Sequence, residues 1–99
     1  MDTLAPPTRL MANTDPEENQ IVTLARNTPE AFVGLYDRYI LRVFRYMLHR
    51  TGDELVAEDL TSQVFLDALK NLPRLSARVP FGAWLFTIAH RRVADYFRD

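Results

Sequence analysis

Five residues near the C-terminal end of the chain have the types and spacing to meet a nucleic acid. Thr87, His90, Arg91, Ala94 and Arg98 follow at steps of 3, 1, 3 and 4, which on a helix puts them on one continuous strip. Guanidiniums bind phosphate or the acceptor edge of guanine, the shorter hydroxyl and imidazole approach base edges, and an alanine permits close approach. Just upstream, the stretch "LPRLSARVP" adds Arg74, Ser76 and Arg78 beside the strip. A plainer reading also fits, in which Arg91 and Arg98 solvate the helix and Asp95 pairs locally with Arg91, Arg92 or Arg98. Spacing alone leaves both open. Trp84, three residues after Phe81, reads either as the edge of a core stripe or as an aromatic that stacks on an unpaired base.

Other chemistries find no footing. There is no cysteine, so disulfides and thiolate metal sites are excluded. His49 and His90 sit on different predicted helices without acids at ligand spacing, and read as surface histidines rather than a metal site. Glu58 and Asp59 are adjacent, so on a helix they point about 100° apart and make a poor general acid–base pair. With three glycines and neither GxxxxGK[ST] nor GxGxxG, the chain has no phosphate-cradling loop. The expectation is a non-enzyme without cofactor or metal. The formal charge of −1 argues against a globally basic nucleic-acid binder, yet it hides a segregation. Residues 51–67 hold Asp53, Glu54, Glu58, Asp59 and Asp67 and no Lys or Arg; residues 68–94 hold Lys70, Arg74, Arg78, Arg91 and Arg92 and no acid. Such blocks form either two surfaces for different partners or a bundle that pairs its own charges.

The elements that must position these groups are helical. Ninety-nine residues suit one domain with a single modest core. No apolar run approaches the roughly 18 residues of a membrane span, and "MDTLAPPTRLMANTDPEEN" lacks a signal pattern, so a soluble cytoplasmic protein is expected. Residues 1–16, with three of the six prolines, read as a flexible tail. A short helix follows over about 17–26, with Ile21, Leu24 and Ala25 on one side. Thr28 as N-cap, Pro29 at the first helical position and Glu30 start the next helix. Its core stripe is Phe32, Leu35, Tyr36, Tyr39, Val43, Tyr46 and Met47, and Gly52 suits the left-handed position that ends it. Asp53 caps a helix to about Asn71, with Ala57, Leu60, Val64 and Ala68 as its stripe. Val56, Phe65, Leu66 and Leu69 widen that apolar surface, and Pro73 closes it. Pro80 starts the last helix, with Phe81, Leu85, Ile88, Ala89 and Tyr96 inward. No strand alternation or repeat is present. The predicted fold is all-α, a compact bundle of three main helices plus a short N-terminal helix.

"EAFVGLYDRYILRVFRYMLHRTGDELVAEDLTSQVFLDALKNLPRL" followed by "PFGAWLFTIAHRRVADYFR" closely resembles region 2 of bacterial extracytoplasmic-function (ECF) sigma factors of the sigma-70 family. The resemblance covers about residues 17–99, and its most specific pieces are "AEDLTSQVF" and "FGAWLFTIAHRRVADYFR". It implies a transcription initiation domain, monomeric and nucleoid-associated, that binds RNA polymerase core and recognises and helps melt the promoter −10 element. The second main helix would dock on the β′ clamp helices through Asp59, Ser62, Gln63, Phe65 and Leu66, with Phe65 as apolar anchor. Thr87, His90 and Arg91 would face the upstream edge of the −10 element, and the loop from Leu72 to Pro80 would hold a base flipped from the non-template strand. An anti-sigma factor is a further implied partner, and a protein-interaction domain that mainly meets such a factor is the alternative. Two departures stand out. Arg91 occupies a place where members often carry Asn, which bears on the base preferred there. Pro80 and Ala83 stand where primary sigma factors are richer in aromatics, which suggests weaker melting and more stringent promoter choice. Members also carry a region 4 domain that reads the −35 element. The chain stops at Asp99, so an isolated domain or fragment with weak promoter binding of its own is expected.

Overall fold

The computed structural model describes residues 15–98, all of them in helices, turns or short connections. The expected tail falls outside them for residues 1–14. Four α-helices carry the fold: α1 (Pro16–Asn27), α2 (Val33–Thr51), α3 (Glu54–Asn71) and α4 (Phe81–Arg98).

Local signals set most helix ends. Asp15 caps α1, its Oδ1 accepting from the Glu18 N–H at 3.0 Å, with Pro16 in the first turn. Gly52 ends α2 at φ 69°, a left-handed conformation that glycine adopts without a Cβ penalty. Asp53 begins α3 at once, accepting from the N–H groups of Leu55 and Val56 at 3.0 and 3.1 Å, so α2 and α3 form a tight helical hairpin. The start of α2 differs from expectation. Pro29–Phe32 is a 3₁₀ turn, and Thr28 offers it a backbone carbonyl, bonded by the Ala31 N–H at 2.9 Å, rather than a side-chain cap.

The core lies where α2, α3 and α4 meet. Leu35, Val43 and Met47 of α2, Ala57, Val64 and Ala68 of α3, and Leu85, Ala89 and Val93 of α4 are fully buried. Phe32 meets the rings of Phe65 and Phe81 edge-on at 6.4 and 6.3 Å, joining the 3₁₀ turn to α3 and α4. Pairing of Tyr39 with Phe81 and of Tyr46 with His90 shows that α2 and α4 run side by side in the same direction. Because α2 stops at Thr51, it leaves the last turn of α4 uncovered. Tyr96, expected inward, is therefore 42% exposed and leans edge-on against Phe97 at 5.1 Å.

Polar contacts fix how the helices sit. The Tyr39 hydroxyl donates to the buried Glu18 carboxylate, 3.0 and 3.1 Å from its two oxygens. Neighbouring Arg38 reaches Asp15, Glu17 and Glu18 at 3.1, 3.2 and 3.3 Å. This turns α1 so that Glu18, Val22 and Ala25 face the bundle; Leu24, expected inward, is 60% exposed. Burial, reinforced by the bond to Glu18, pushes the Tyr39 phenol above its ordinary pKa. Helix α4 starts directly over that hydroxyl. A Cβ on Gly82 would lie 2.7 Å from Tyr39 Oη, closer than atoms approach. On the other flank Arg92 grips Asp67 through two bonds, Nε to Oδ2 at 2.7 Å and Nη2 to Oδ1 at 2.8 Å, and donates Nη1 to Gln63 Oε1 at 2.9 Å. The acidic and basic blocks thus pair with each other at one point, between α3 and α4.

Two outcomes follow in urea unfolding monitored by helicity. Tyr39→Phe should lower the unfolding free energy by about 1–2 kcal/mol by leaving Glu18 short of a donor. Gly82→Ala should lower it by about 1–3 kcal/mol through overpacking, and an unchanged midpoint would contradict the close approach of α4. Acid gives a third readout. The Glu18 N–H, and then Arg38, hold the Asp15 carboxyl below its usual pKa against the opposing effect of burial. A depressed folded pKa stabilises above the unfolded value of about 4, and that stability is lost as pH falls through the folded value. The wild-type urea midpoint should therefore drop more steeply below about pH 4 than that of Asp15→Asn.

Candidate nucleic-acid and protein interfaces

The strip Thr87, His90, Arg91, Ala94 and Arg98 is exposed along its whole length, but its members are not equally free. Thr87 donates its hydroxyl to the Ala83 carbonyl at 3.0 Å. Arg98 pairs with Asp95 at 2.5 Å, as the plainer reading of the charges anticipated for one of the three arginines. His90 is pinned to α2, stacked on Tyr46 at 5.8 Å with Nδ1 2.8 Å from the Tyr46 hydroxyl. That hydroxyl accepts a bond from Arg50 at 2.9 Å. The Tyr46 hydroxyl thus ties Arg50 of α2 to His90 of α4. Arg91 has no ion-pair partner among the described residues. It is the strip's unneutralised guanidinium.

The connector holds a second group. Leu72–Arg74 is a 3₁₀ turn, and buried Leu72 and Leu75 tie the segment to the core. Arg26 of α1 donates to the Leu75 carbonyl. Ser76 builds the following turn, its Oγ accepting from the Arg78 N–H at 3.2 Å and its carbonyl from Val79 at 3.1 Å. Arg74 and Arg78 point their charges to solvent.

Where the end of α3, this connector and α4 converge lies an open groove of about 570 Å³. It brings together Arg74, Trp84, Thr87 and Arg91 of the residues singled out in the sequence, and leaves Ser76, Arg78, His90 and Arg98 outside its lining. Trp84 packs its ring 5.9 Å from that of Phe81, at the edge of the core, and the residue is only half-buried and lines the groove. Asp67, Asn71, Ile88, Arg92 and Asp95 also line it and were not assigned to a nucleic-acid site from the sequence. Asn71 and Asp67 belong to α3, and only the crossing of α3 with α4 brings them beside the strip.

On α3, Asp59, Ser62 and Leu66 are exposed, Leu66 at 66%. Gln63 is half-buried and held at both ends, donating to Asp59 at 2.7 Å and accepting from Arg92. Phe65 corrects the expectation of a partner-facing anchor. It is 5% exposed and packs edge-on against Phe32 and, at 4.9 Å, Tyr36. The broad apolar arc of α3 arises because the helix is packed by both α2 and α4, and the Phe65 row faces α2. Beside Ser62, an apolar groove of about 470 Å³ opens between α2 and α3, lined by Tyr36, Ile40, Leu41, Phe44, Glu58 and Thr61. Ile40, Leu41 and Phe44 escaped notice in the sequence, although they form an apolar row outside the α2 core stripe. Among the described residues no cluster of three His, Asp or Glu could hold a metal ion, and no helix is long and apolar enough to cross a membrane.

Residues 35–99 match the family model described as Sigma-70 region 2. The ECF RNA polymerase sigma factor BldN of Streptomyces coelicolor is 47% identical over 71 residues, covering 71% of this chain and 27% of BldN. The ECF RNA polymerase sigma factor SigC of Mycobacterium tuberculosis is 38% identical over 69 residues, 70% of this chain and 35% of SigC. SigK of a Mycobacterium species (strain KMS) is 30% identical over 101 residues, covering all of this chain and 52% of SigK. The chain thus spans about a quarter to half the length of these relatives. No solved structure gives a significant match. A four-helix fold with no strand among its described residues, matched over most of its length by the region 2 family and by ECF sigma factors, belongs to the sigma-70 region 2 family in its extracytoplasmic-function branch.

Proposed function

We propose that this domain docks on RNA polymerase core and reads and helps open the promoter −10 element. The observation that carries this reading is the groove that sets the unpaired guanidinium of Arg91 beside the half-buried ring of Trp84, with Arg74 at its rim. A base turned out of the stack finds there an aromatic surface, a donor pair for a guanine-like edge and a cation for its phosphate. Capture of that base offsets part of the unstacking cost of a few kcal/mol. His90 and Thr87 lie along the same strip toward the duplex side.

The polymerase side of the proposal is α3 with the neighbouring groove. Leu66, Leu41 and Tyr36 offer apolar surface, and Asp59 and Glu58 offer carboxylates to basic residues of a β′ clamp helix. Gln63 contributes from a fixed orientation, since Asp59 and Arg92 both hold it. Phe65 supports this face from beneath. The same apolar groove, together with Leu55 at 76% exposure, also suits an anti-sigma factor helix, which is the second reading.

With labelled single strands of varied −10 sequence, Arg91→Ala should cut discrimination at one position by roughly 5- to 150-fold, the worth of a bidentate contact of about 1–3 kcal/mol. Arg91→Asn should move the preference there from guanine toward adenine. Wild-type binding that ignores sequence and vanishes with salt would sink base readout. For docking, Leu41→Ala combined with Leu66→Ala should weaken capture of a β′ clamp-helix fragment at least tenfold with helicity intact; undiminished capture would remove this face from the interface.

A further inference from the structure

Among the described residues, no acid pairs with the positive charge carried by the seam between α2 and α4. From Arg38 to Gly52 the chain has four arginines and a histidine and no Asp or Glu. Arg38 is taken up by the acids of α1. Among the described residues, Arg42, Arg45 and Arg50 have no ion-pair partner, and all three are exposed.

Two of the three are nevertheless held in place, by aromatic faces. Arg42 lies 4.8 Å from the ring centroid of Tyr39 and 5.8 Å from that of Phe86. Arg50 lies 5.7 Å from the Tyr46 ring and donates to its hydroxyl. Phe86 meets Tyr46 edge-on at 5.9 Å, and Tyr46 stacks on His90. Arg42, Tyr46 and Arg50 stand at i, i+4 and i+8 of α2, against Phe86 and His90 at i and i+4 of α4. The result is a ladder of cations and rings in which Arg42 and Arg50 are both held against aromatic faces and exposed to solvent.

We propose that this seam is a track for a nucleic-acid phosphate backbone, extending the DNA footprint from α4 onto α2. The proposal rests on α4 facing DNA. Arg42 and Arg50 are about 12 Å apart along α2, a stretch over which one strand of B-DNA presents three or four phosphates. His90 joins the two surfaces, since it is exposed on α4 and bonded to Tyr46 of α2. An acidic protein segment suits the seam less well. Tyr46 and Phe86 are half-buried between the helices and offer such a segment little apolar surface to cover.

The test uses this chain with labelled single strands of several sequences between 50 and 200 mM salt. Two lost contacts should lower the slope of log affinity against log salt by about 1.4, at roughly 0.7 per phosphate contact. Arg42→Gln with Arg50→Gln should show that drop equally for every sequence, with the base preference set by Arg91 unchanged. A folded double variant with wild-type slope and affinity would overturn the proposal. Loss of base preference in wild type with the slope effect intact would instead remove base reading and leave the backbone track standing. If the double variant does not fold, the wild-type protein decides. A scan of neutral methylphosphonate pairs should find positions outside the read bases that lower the slope, and their absence would refute the track. If an oligoglutamate competitor binds wild type as tightly as the strand does, and the double variant loses only the competitor, the seam belongs to an acidic protein partner and the proposal fails.

Discussion

Glu18 is a carboxylate buried against the bundle, and the placement of α1, α2 and α4 meets at the contacts that satisfy it. A buried charge without partners is costly. Here Tyr39 donates to both oxygens and Arg38 supplies the opposite charge. Three helices are committed by that choice. Helix α1 must turn Glu18 inward, α2 must hold Tyr39 upright, and α4 must pass the hydroxyl where only a glycine fits. Since α4 begins over Tyr39, its azimuth is set there, and with it the direction in which Trp84, His90 and Arg91 project. Helix α1 then reaches the connector through Arg26 and the Leu75 carbonyl. The groove is therefore shaped from a distance by residues that do not line it.

Charge is distributed on the same economy. Arg91 and Arg92 are neighbours in sequence, yet among the described residues one has no ion-pair partner and the other is bound to Asp67 and Gln63. A step of about 100° separates them, and the α3–α4 crossing neutralises whichever falls on its side. The cation left over faces the groove. On α2, aromatic rings hold Arg42 and Arg50 where acids hold Arg38, so their positions are fixed without loss of their charge. A chain of nearly zero net charge can in this way present a cationic surface around α4 and an acidic, apolar one along α3.

Much of this was legible beforehand where the signal is local. Gly52 and Asp53 marked the turn between α2 and α3, because a left-handed residue and a side-chain cap act within a few residues of themselves. The exposed strip of α4 followed from helical periodicity. Thr28 misled, since a residue with the right side chain for an N-cap preceded a 3₁₀ turn. Leu24, Phe65 and Tyr96 misled for one shared reason. Apolar residues on a helix with a wide apolar arc face either a neighbour or solvent, and periodicity does not say where the neighbours stop.

The sequence by itself determined that the chain is helical, where the helices begin and end to within a few residues, and, as far as Arg92, which faces of α4 are inward and outward. These depend on caps, prolines, glycines and spacing, all short-range. Only the tertiary structure decided that Arg92 is paired while Arg91 has no ion-pair partner among the described residues, that Phe65 is core and Leu66 is surface, and that Asn71 and Trp84 share one groove. Those outcomes depend on the angle and register at which α3 and α4 cross, and that geometry is set by contacts between residues far apart in the chain, from the Glu18–Tyr39 bond to the Arg92–Asp67 pair.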